Sequence, residues 1–377
     1  MPSLTATLST FAVLSALAGF VVGVSRCLRS KPRAPTLIDL LLALASATGA
    51  MLTALFLLRV RSSTPLQLFG LFHALYVGVM VTLPIVGLLL GTVAIRRRSR
   101  PPTLIGCAAL VLLGILGWYM THVEPNWLRV DTIEVAVGSI RSGDGLVRIA
   151  VLADLQTASI GDHERAAVRE VMAGRPDVIL IPGDLYQPTS EGFFSGIPAV
   201  RELLATLHAP FGVYFVQGDH EDLGLAQQLF EGSEVVILDD RVVEVPVRRR
   251  TLLIGGTSID VNSAGADAVR ARLLAEPAEG AVTVLVSHRP DTVLPLPTDS
   301  RVDLSVAGHT HGGQVVIPGF GPPLTLSDVP RAAAQGGLHS VNGNQLYVSP
   351  GVGLERGDAP QLRLFNRPAV ALLDLDS

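Results

Sequence analysis

Five short apolar runs in this sequence each end in a residue able to bind a metal ion. Val147–Ala153 runs into Asp154, and Val178–Pro182 into Gly183 and Asp184. Val213–Gln217 runs into Gly218, Asp219 and His220, and Val282–Ser287 into His288. Leu304–Ala307 runs into Gly308, His309, Thr310 and His311. A mixed set of carboxylates and neutral imidazoles suits divalent transition metals such as Mn, Fe or Zn. Two such ions roughly 3.5–4 Å apart, sharing a carboxylate, clamp a phosphoryl group and activate a water. His220, beside Asp219, is placed to hand a proton to the leaving oxygen.

Each residue alone has a plainer explanation. A single Asp after a strand is usually a turn or a helix cap, and a single buried His is more often structural than a ligand. His163 and His208 follow no strand and read as surface or packing residues. Repetition lifts the set above that reading. Five run ends carry oxygen or imidazole donors, three of them beside a glycine that lets backbone and ion approach closely.

Continuous β-branched runs of this kind read as strands buried on both faces. Helical stretches fall between them, at His163–Met172, Glu191–His208, Leu223–Phe230 and Ala266–Leu274. The alternation predicts an α/β domain. In such sheets the ligand site lies beyond the carboxyl ends of the strands, so the five ends are expected to converge.

The first third of the chain is different in kind. Over the whole 377 residues, 49% are apolar and only 16% charged, against about 25% charged in an ordinary soluble domain. Four uncharged segments, 4–25, 40–58, 66–95 and 101–121, are long enough to cross a bilayer as helices. Met1–Leu4 carries no basic side chain, so the first segment reads as a retained helix rather than a cleaved signal peptide. Arg26, Arg29, Lys31 and Arg33 lie between spans one and two, and Arg96, Arg97, Arg98 and Arg100 between spans three and four; the middle loop holds only Arg59 and Arg61. The heavily basic loops are expected in the cytoplasm, which puts the rest of the chain outside it, at the plasma (inner) membrane. His73 reads as a polar residue near the end of an overlong helix. No Asp, Glu, Lys, Arg or further His sits inside the spans, so a transport path is disfavoured and an anchor is the expectation.

Several chemistries are excluded. Lys31 is the only lysine, so residues 128–377 contain no P-loop or Schiff-base lysine. Both cysteines, Cys27 and Cys107, lie in the apolar third, and no G-x-S-x-G stretch occurs. The net charge of −4 conceals an asymmetry. Residues 1–127 carry ten Lys and Arg against two acids, and the remainder 19 against 31. An acidic domain argues against nucleic acid as a partner and is compatible with divalent cations.

Asp154, Gly183-Asp184, Gly218-Asp219-His220-Glu221, His288 and the string Gly308-His309-Thr310-His311-Gly312-Gly313-Gln314 resemble the calcineurin-like metallophosphoesterase superfamily. The resemblance is greatest to its bacterial, membrane-associated branch of the YkuE and YaeI type. Glu124-Pro125, Pro176-Asp177, Gly337–His339 and Gly351–Gly353 fit the same pattern. The resemblance covers about Glu124 to the C-terminus and implies a two-sheet α/β sandwich flanked by helices over 124–377, while the four apolar segments make 1–123 a region of four transmembrane helices. It further implies two divalent ions, Mn first, with Fe, Zn or Mg as alternatives. Asp154, His311 and position 156 would serve metal one, Asp184 would bridge, and Asp219, His288 and His309 would serve metal two. His220 would be the catalytic acid.

Three positions depart from the pattern. Gln156 stands where the family has His, Asp219 where it has Asn, and Gln187 where it often has a second Asp. An Asn and an Asp both offer oxygen, so Asp219 is a mild change. Gln156 offers at best an amide oxygen, which favours Mn or Mg, and Gln187 removes an acid that would orient His220.

The leading expectation is a membrane-anchored hydrolase of a phosphoester or pyrophosphate, with a lipid-linked or envelope substrate suggested by the tether. The alternative is a catalytically weakened metal-binding or scaffolding membrane protein, with Gln156 marking the decay. A transporter or sensor with an outer regulatory domain is the third reading.

Overall fold

A computed structural model describes residues 4–28, 33–61, 68–138, 146–187, 193–275 and 281–376. Arg29 and Lys31 of the first basic loop, residues 66–67 of the third predicted span and Glu191 at the start of a predicted helix lie outside the described residues, as do the side chains of Arg59 and Arg61. The chain forms two compact units. One is Met1–Val123 with Arg356–Gln361; the other is Glu124–Glu355 with Leu362–Ser377.

The first unit is helical. Helices α1 (Leu4–Leu28), α2 (Leu37–Arg61), α3 (Leu68–Val77), α4 (Leu83–Arg96) and α5 (Pro101–Trp118) contribute to four stretches long and apolar enough to cross a membrane. Small residues let the helices approach: a methyl added at Gly19 of α1 would meet the Ala43 carbonyl of α2 at 2.4 Å. Close backbone packing through Ala and Gly is the kind that would hold such helices together in a bilayer, where lipid removes the hydrophobic drive. The third stretch is not one regular helix, because a π-helical turn, Gly78–Thr82, joins α3 to α4. It sits just before Pro84, whose ring cannot donate into a regular helical ladder.

The second unit is built on strands. Among the described residues, twelve form two six-stranded sheets, ordered β1-β12-β2-β3-β4-β5 and β10-β11-β9-β8-β7-β6. The first contains β1 (Arg129–Ala136), β2 (Val147–Val151), β3 (Val178–Pro182), β4 (Val213–Val216), β5 (Val235–Ile237) and β12 (Ala369–Asp376). The second contains β6 (Arg241–Val247), β7 (Arg250–Gly256), β8 (Val282–Val286), β9 (Leu304–Ala307), β10 (Gly337–Val341) and β11 (Asn344–Val348). Successive side chains of a strand point to opposite faces, and in β3 both faces are apolar. Val178 and Leu180 join the core between the sheets, packing with Ile254, Val284 and Val306. Ile179 and Ile181 face the other way, toward α6 (Asp162–Ala173), α7 (Phe193–Leu204) and α8 (Leu223–Leu229). Helix α9 (Ala264–Leu274) covers the outer face of the second sheet through Val269 and Leu273. The result is the two-sheet α/β sandwich flanked by helices that the sequence implies.

Helix α7 ends four residues before His208, where the expected helix ran on; single turns close Thr206 on Leu203 and Leu207 on Leu204 instead. Pro210 lies just beyond, and a chain approaching proline leaves the helical region. The strand β12 runs parallel to β1 and antiparallel to β2. Its Asp374 sits opposite Arg148 of β2 and takes a forked pair of hydrogen bonds at 2.7 and 2.8 Å.

Candidate metal centre

Beyond the strand ends, the loops continue the ladder. Leu152 N–H donates to the Leu180 carbonyl, Asp154 N–H to Gly183 and Gln156 N–H to Asp184, at 3.0, 3.1 and 2.8 Å. In the second sheet Gly308 N–H donates to the His288 carbonyl at 3.0 Å. The first two motifs are thereby held side by side, as are the last two. The backbone then turns sharply. Asp154, Gln156, Asp184, His309 and His311 all have positive φ, between 38 and 72°. A non-glycine residue there is uncommon and costs of order 1–3 kcal/mol, a cost that clusters at functional sites.

Two glycines make room. A methyl at Gly218 would lie 2.2 Å from Asp184 Oδ1, and one at Gly308 would lie 2.4 Å from Asp154 Oδ2.

The side chains converge in two overlapping groups, Asp219 with His288 and His309, and Asp154 with Asp184 and His288, each with donor atoms within 4.8 Å of one another. His288 Nε2 lies 3.3 Å from Asp184 Oδ2 and 3.4 Å from Asp219 Oδ2. His309 Nδ1 lies 2.9 Å from Asp219 Oδ2. Asp184 Oδ1 accepts from the His220 N–H at 3.0 Å, and the His220 ring stands at the partly exposed edge, 3.8 Å from Asp184 Oδ2. His311 lies beside Asp154: a methyl at Gly351 would come within 2.9 Å of Asp154 Cβ and 3.3 Å of His311 Nδ1. Gln156 is fully buried, its Nε2 donating to Gln187 Oε1 at 2.9 Å.

This arrangement fits divalent cations on three counts. First, the outer nitrogens of two imidazoles are engaged by backbone carbonyls, His288 Nδ1 by Pro182 at 2.8 Å and His309 Nε2 by Leu326 at 3.3 Å. An N–H directed at a carbonyl leaves the other nitrogen as a lone pair facing the carboxylates. Second, among the described residues Asp154 Oδ2 and both ring nitrogens of His311 are buried without a hydrogen-bond partner, a costly state for polar atoms unless a ligand completes them.

Third, the charge states suit it. Burial, with the Asp184 charge adding to it, pushes the Asp154 carboxyl up to about 7. Burial also acts on Asp184 and Asp219, but their contacts with His288 win and hold both carboxyls low, joined at Asp219 by His309 and Arg289. His288 is raised despite its burial, because Asp184, Asp219 and Asp154 surround it. Burial, reinforced by Arg363, lowers His311 and keeps it neutral, as a metal ligand must be. The pocket therefore gathers positive charge in the form of protons, and a divalent cation supplies the same charge.

Sequence reasoning gave no role to several residues that build this site. Arg363 is fully buried and donates to the carbonyls of Pro350, Gly351, Gly353, His311 and Asn366. Burial lowers its guanidinium to about 9. Its only signal was a lone charge inside the run Leu362–Phe365. Glu221 is buried and accepts from the N–H of Leu185, next to Asp184; burial and the Asp184 charge raise its carboxyl. Arg289 reaches Asp219 Oδ1 at 2.5 Å. His163 joins α6 to the Gly351–Gly353 segment through the Val352 carbonyl at 3.0 Å. Glu124 is buried and accepts from the Asn366 N–H at 2.7 Å.

A profile for calcineurin-like phosphoesterases matches residues 147–313, which span every converging residue described here from Asp154 to His311. The chain carries a calcineurin-like metallophosphoesterase domain. Among proteins similar to it, the uncharacterized metallophosphoesterase YkuE of Bacillus subtilis is 24% identical over 266 residues, covering 69% of this chain and 89% of YkuE. The phosphodiesterase YaeI of Escherichia coli is 26% identical over 271 residues, covering 68% of this chain and 92% of YaeI. The Caenorhabditis elegans protein F40B5.2, named as a metallophosphoesterase, is 28% identical over 268 residues, covering 65% of this chain; the chain spans about half (53%) of F40B5.2. Position 187 carries no acid here, and Glu355 Oε1 lies 3.8 Å from His220 Nε2.

Proposed function

We propose that the chain is a membrane-anchored, metal-dependent phosphoesterase that hydrolyses a phosphoester or pyrophosphate bond. The observation that carries this reading is the meeting of His288 Nε2 and His309 Nδ1, 3.2 Å apart, among the carboxylates of Asp154, Asp184 and Asp219. Asp154, Gln156 and His311 would hold one divalent cation and Asp219, His288 and His309 a second, with Asp184 available to both; Mn is the first choice. When bound, the two cations supply an activated water and neutralise charge on the phosphoryl oxygens. The chain's own residues do the rest. Asp184 fixes the His220 backbone through Oδ1, and the His220 imidazole donates the proton to the leaving oxygen. Arg289, beside Asp219, brings a guanidinium to the phosphate side of the site.

The charge pattern of the loops supports an extracytoplasmic domain at the plasma membrane, and the tether supports a lipid-linked or envelope phosphate as substrate. Gln156 favours a second reading, a metal-binding protein with little turnover. The test uses the full chain in detergent with added Mn, aryl phosphate mono- and diesters, and Asp184→Asn. Hydrolysis that disappears in the variant supports the enzyme. Bound metal without turnover in the wild type supports the second reading.

A further inference from the structure

Among the described residues, Gln156 Nε2 donates to Gln187 Oε1 at 2.9 Å and to Glu355 Oε2 at 3.4 Å. An amide facing only another amide is ambiguous, because turning both over restores a hydrogen bond with donor and acceptor exchanged. A carboxylate accepts only. Glu355 therefore breaks the tie, drawing the nitrogen toward itself, which turns the Gln156 oxygen to the other side of the amide. We propose that Glu355 is a positioning residue that presents Gln156 as an oxygen donor and so tunes its metal site toward hard cations such as Mn or Mg. This inference rests on the metal-centre reading above.

The placement of Glu355 is built into the fold. Its N–H donates to Gln314 Oε1 at 2.7 Å, just past the His311 motif. The preceding residues lie along the first motif, with Val352 N–H on the Ala153 carbonyl and Gly353 N–H on Asp154, at 3.1 and 2.7 Å. Arg363 fixes the Gly353 carbonyl at 2.6 Å. The loop that carries Asp154 thus also sets the position of Glu355, and the carboxylate spans from Gln156 to the edge of His220. An amide oxygen is a hard donor, whereas imidazole suits Zn, Cu, Fe and Ni.

The test is calorimetric titration of the full chain in detergent with Mn and, separately, Zn, supported by metal content after dialysis. The variants are Glu355→Gln, Glu355→Ala, Gln156→His, Gln156→Ala and the double variant Gln156→Ala with Glu355→Gln. Thermal melts of the metal-free proteins verify folding. Loss of a residue that orients a metal ligand costs roughly 10- to 100-fold in affinity. Support is a wild type that binds two Mn ions, with Glu355→Gln weakening one of them by that factor and causing no further loss in the Gln156→Ala background. Gln156→His should shift preference toward Zn at the same site. Two Mn sites of unchanged affinity in both folded Glu355 variants would overturn the proposal and leave the metal centre standing. A wild type that binds no Mn would overturn the metal-centre reading and this inference with it.

Discussion

His309 Nδ1 lies 3.2 Å from His288 Nε2, and each ring has its other nitrogen against a backbone carbonyl. Two lone pairs held at that distance repel unless a proton or a metal ion stands with them. Asp184 and Asp219 flank the same point, so these four side chains form a candidate cation site.

Chelation should therefore destabilise the domain. A ligand that binds only the native state stabilises it by about 2.7 kcal/mol at 100 times its Kd. Adding EDTA to the full chain should lower the unfolding temperature of the strand-built unit, and Mn should restore it. His288→Asn should show neither response.

The metal-free protein should become less stable as pH rises from about 5 to about 7. Asp154 is raised from 3.8 to about 7, so its contribution is complete below pH 3.8 and is lost as pH climbs through the folded value. Glu221 and His288 are raised too and act in the same sense, His288 only above its ordinary 6.5. His311 is lowered and acts oppositely, its contribution falling away as pH drops below 6.5. Asp184 and Asp219 are depressed, so they matter only in acid. Melting temperature against pH should flatten in Asp154→Asn and steepen in His311→Ala. Mn should reverse the slope, because metal binding displaces the protons.

If His220 protonates the leaving oxygen, its removal should matter most where the leaving group is poor. His220→Asn should lower kcat roughly 100- to 10,000-fold for an alkyl phosphoester and far less for a nitrophenyl ester. Equal losses on both substrates would remove His220 from that role.

Arg363→Met should destabilise the domain by about 3 kcal/mol, since buried carbonyls left unpaired cost roughly 1–3 kcal/mol each and solvent recovers only some. Denaturant unfolding measures this. Mn affinity should fall with it, because Arg363 ties His311 to the Gly351–Gly353 segment that lies against Asp154.

Much of the candidate site is legible in the sequence, because continuous Val, Ile and Leu runs ending in Asp or His mark strands buried on both faces and the end where ligands gather. What escaped had a physical reason. Glu355 and Arg363 act through backbone amides and carbonyls far away in sequence, and nothing local to either residue signals that. The left-handed turns at Asp154, Asp184 and His309 are imposed by the surrounding loops, since none of the three is a glycine. The four apolar segments were plain from length and hydropathy, whereas the π-helical turn at Gly78–Thr82 has no local signal beyond the missing N–H of the nearby Pro84.

The position of β12 between β1 and β2 has a consequence for biosynthesis. Arg129–Ala136 and Val147–Val151 leave the ribosome long before Ala369 is translated, and at ~5–20 residues per second the wait is on the order of tens of seconds. During that interval both strands present bare edges, a template for aggregation. Nascent chains caught before Ala369 should be protease-sensitive and chaperone-dependent, and completed ones should not.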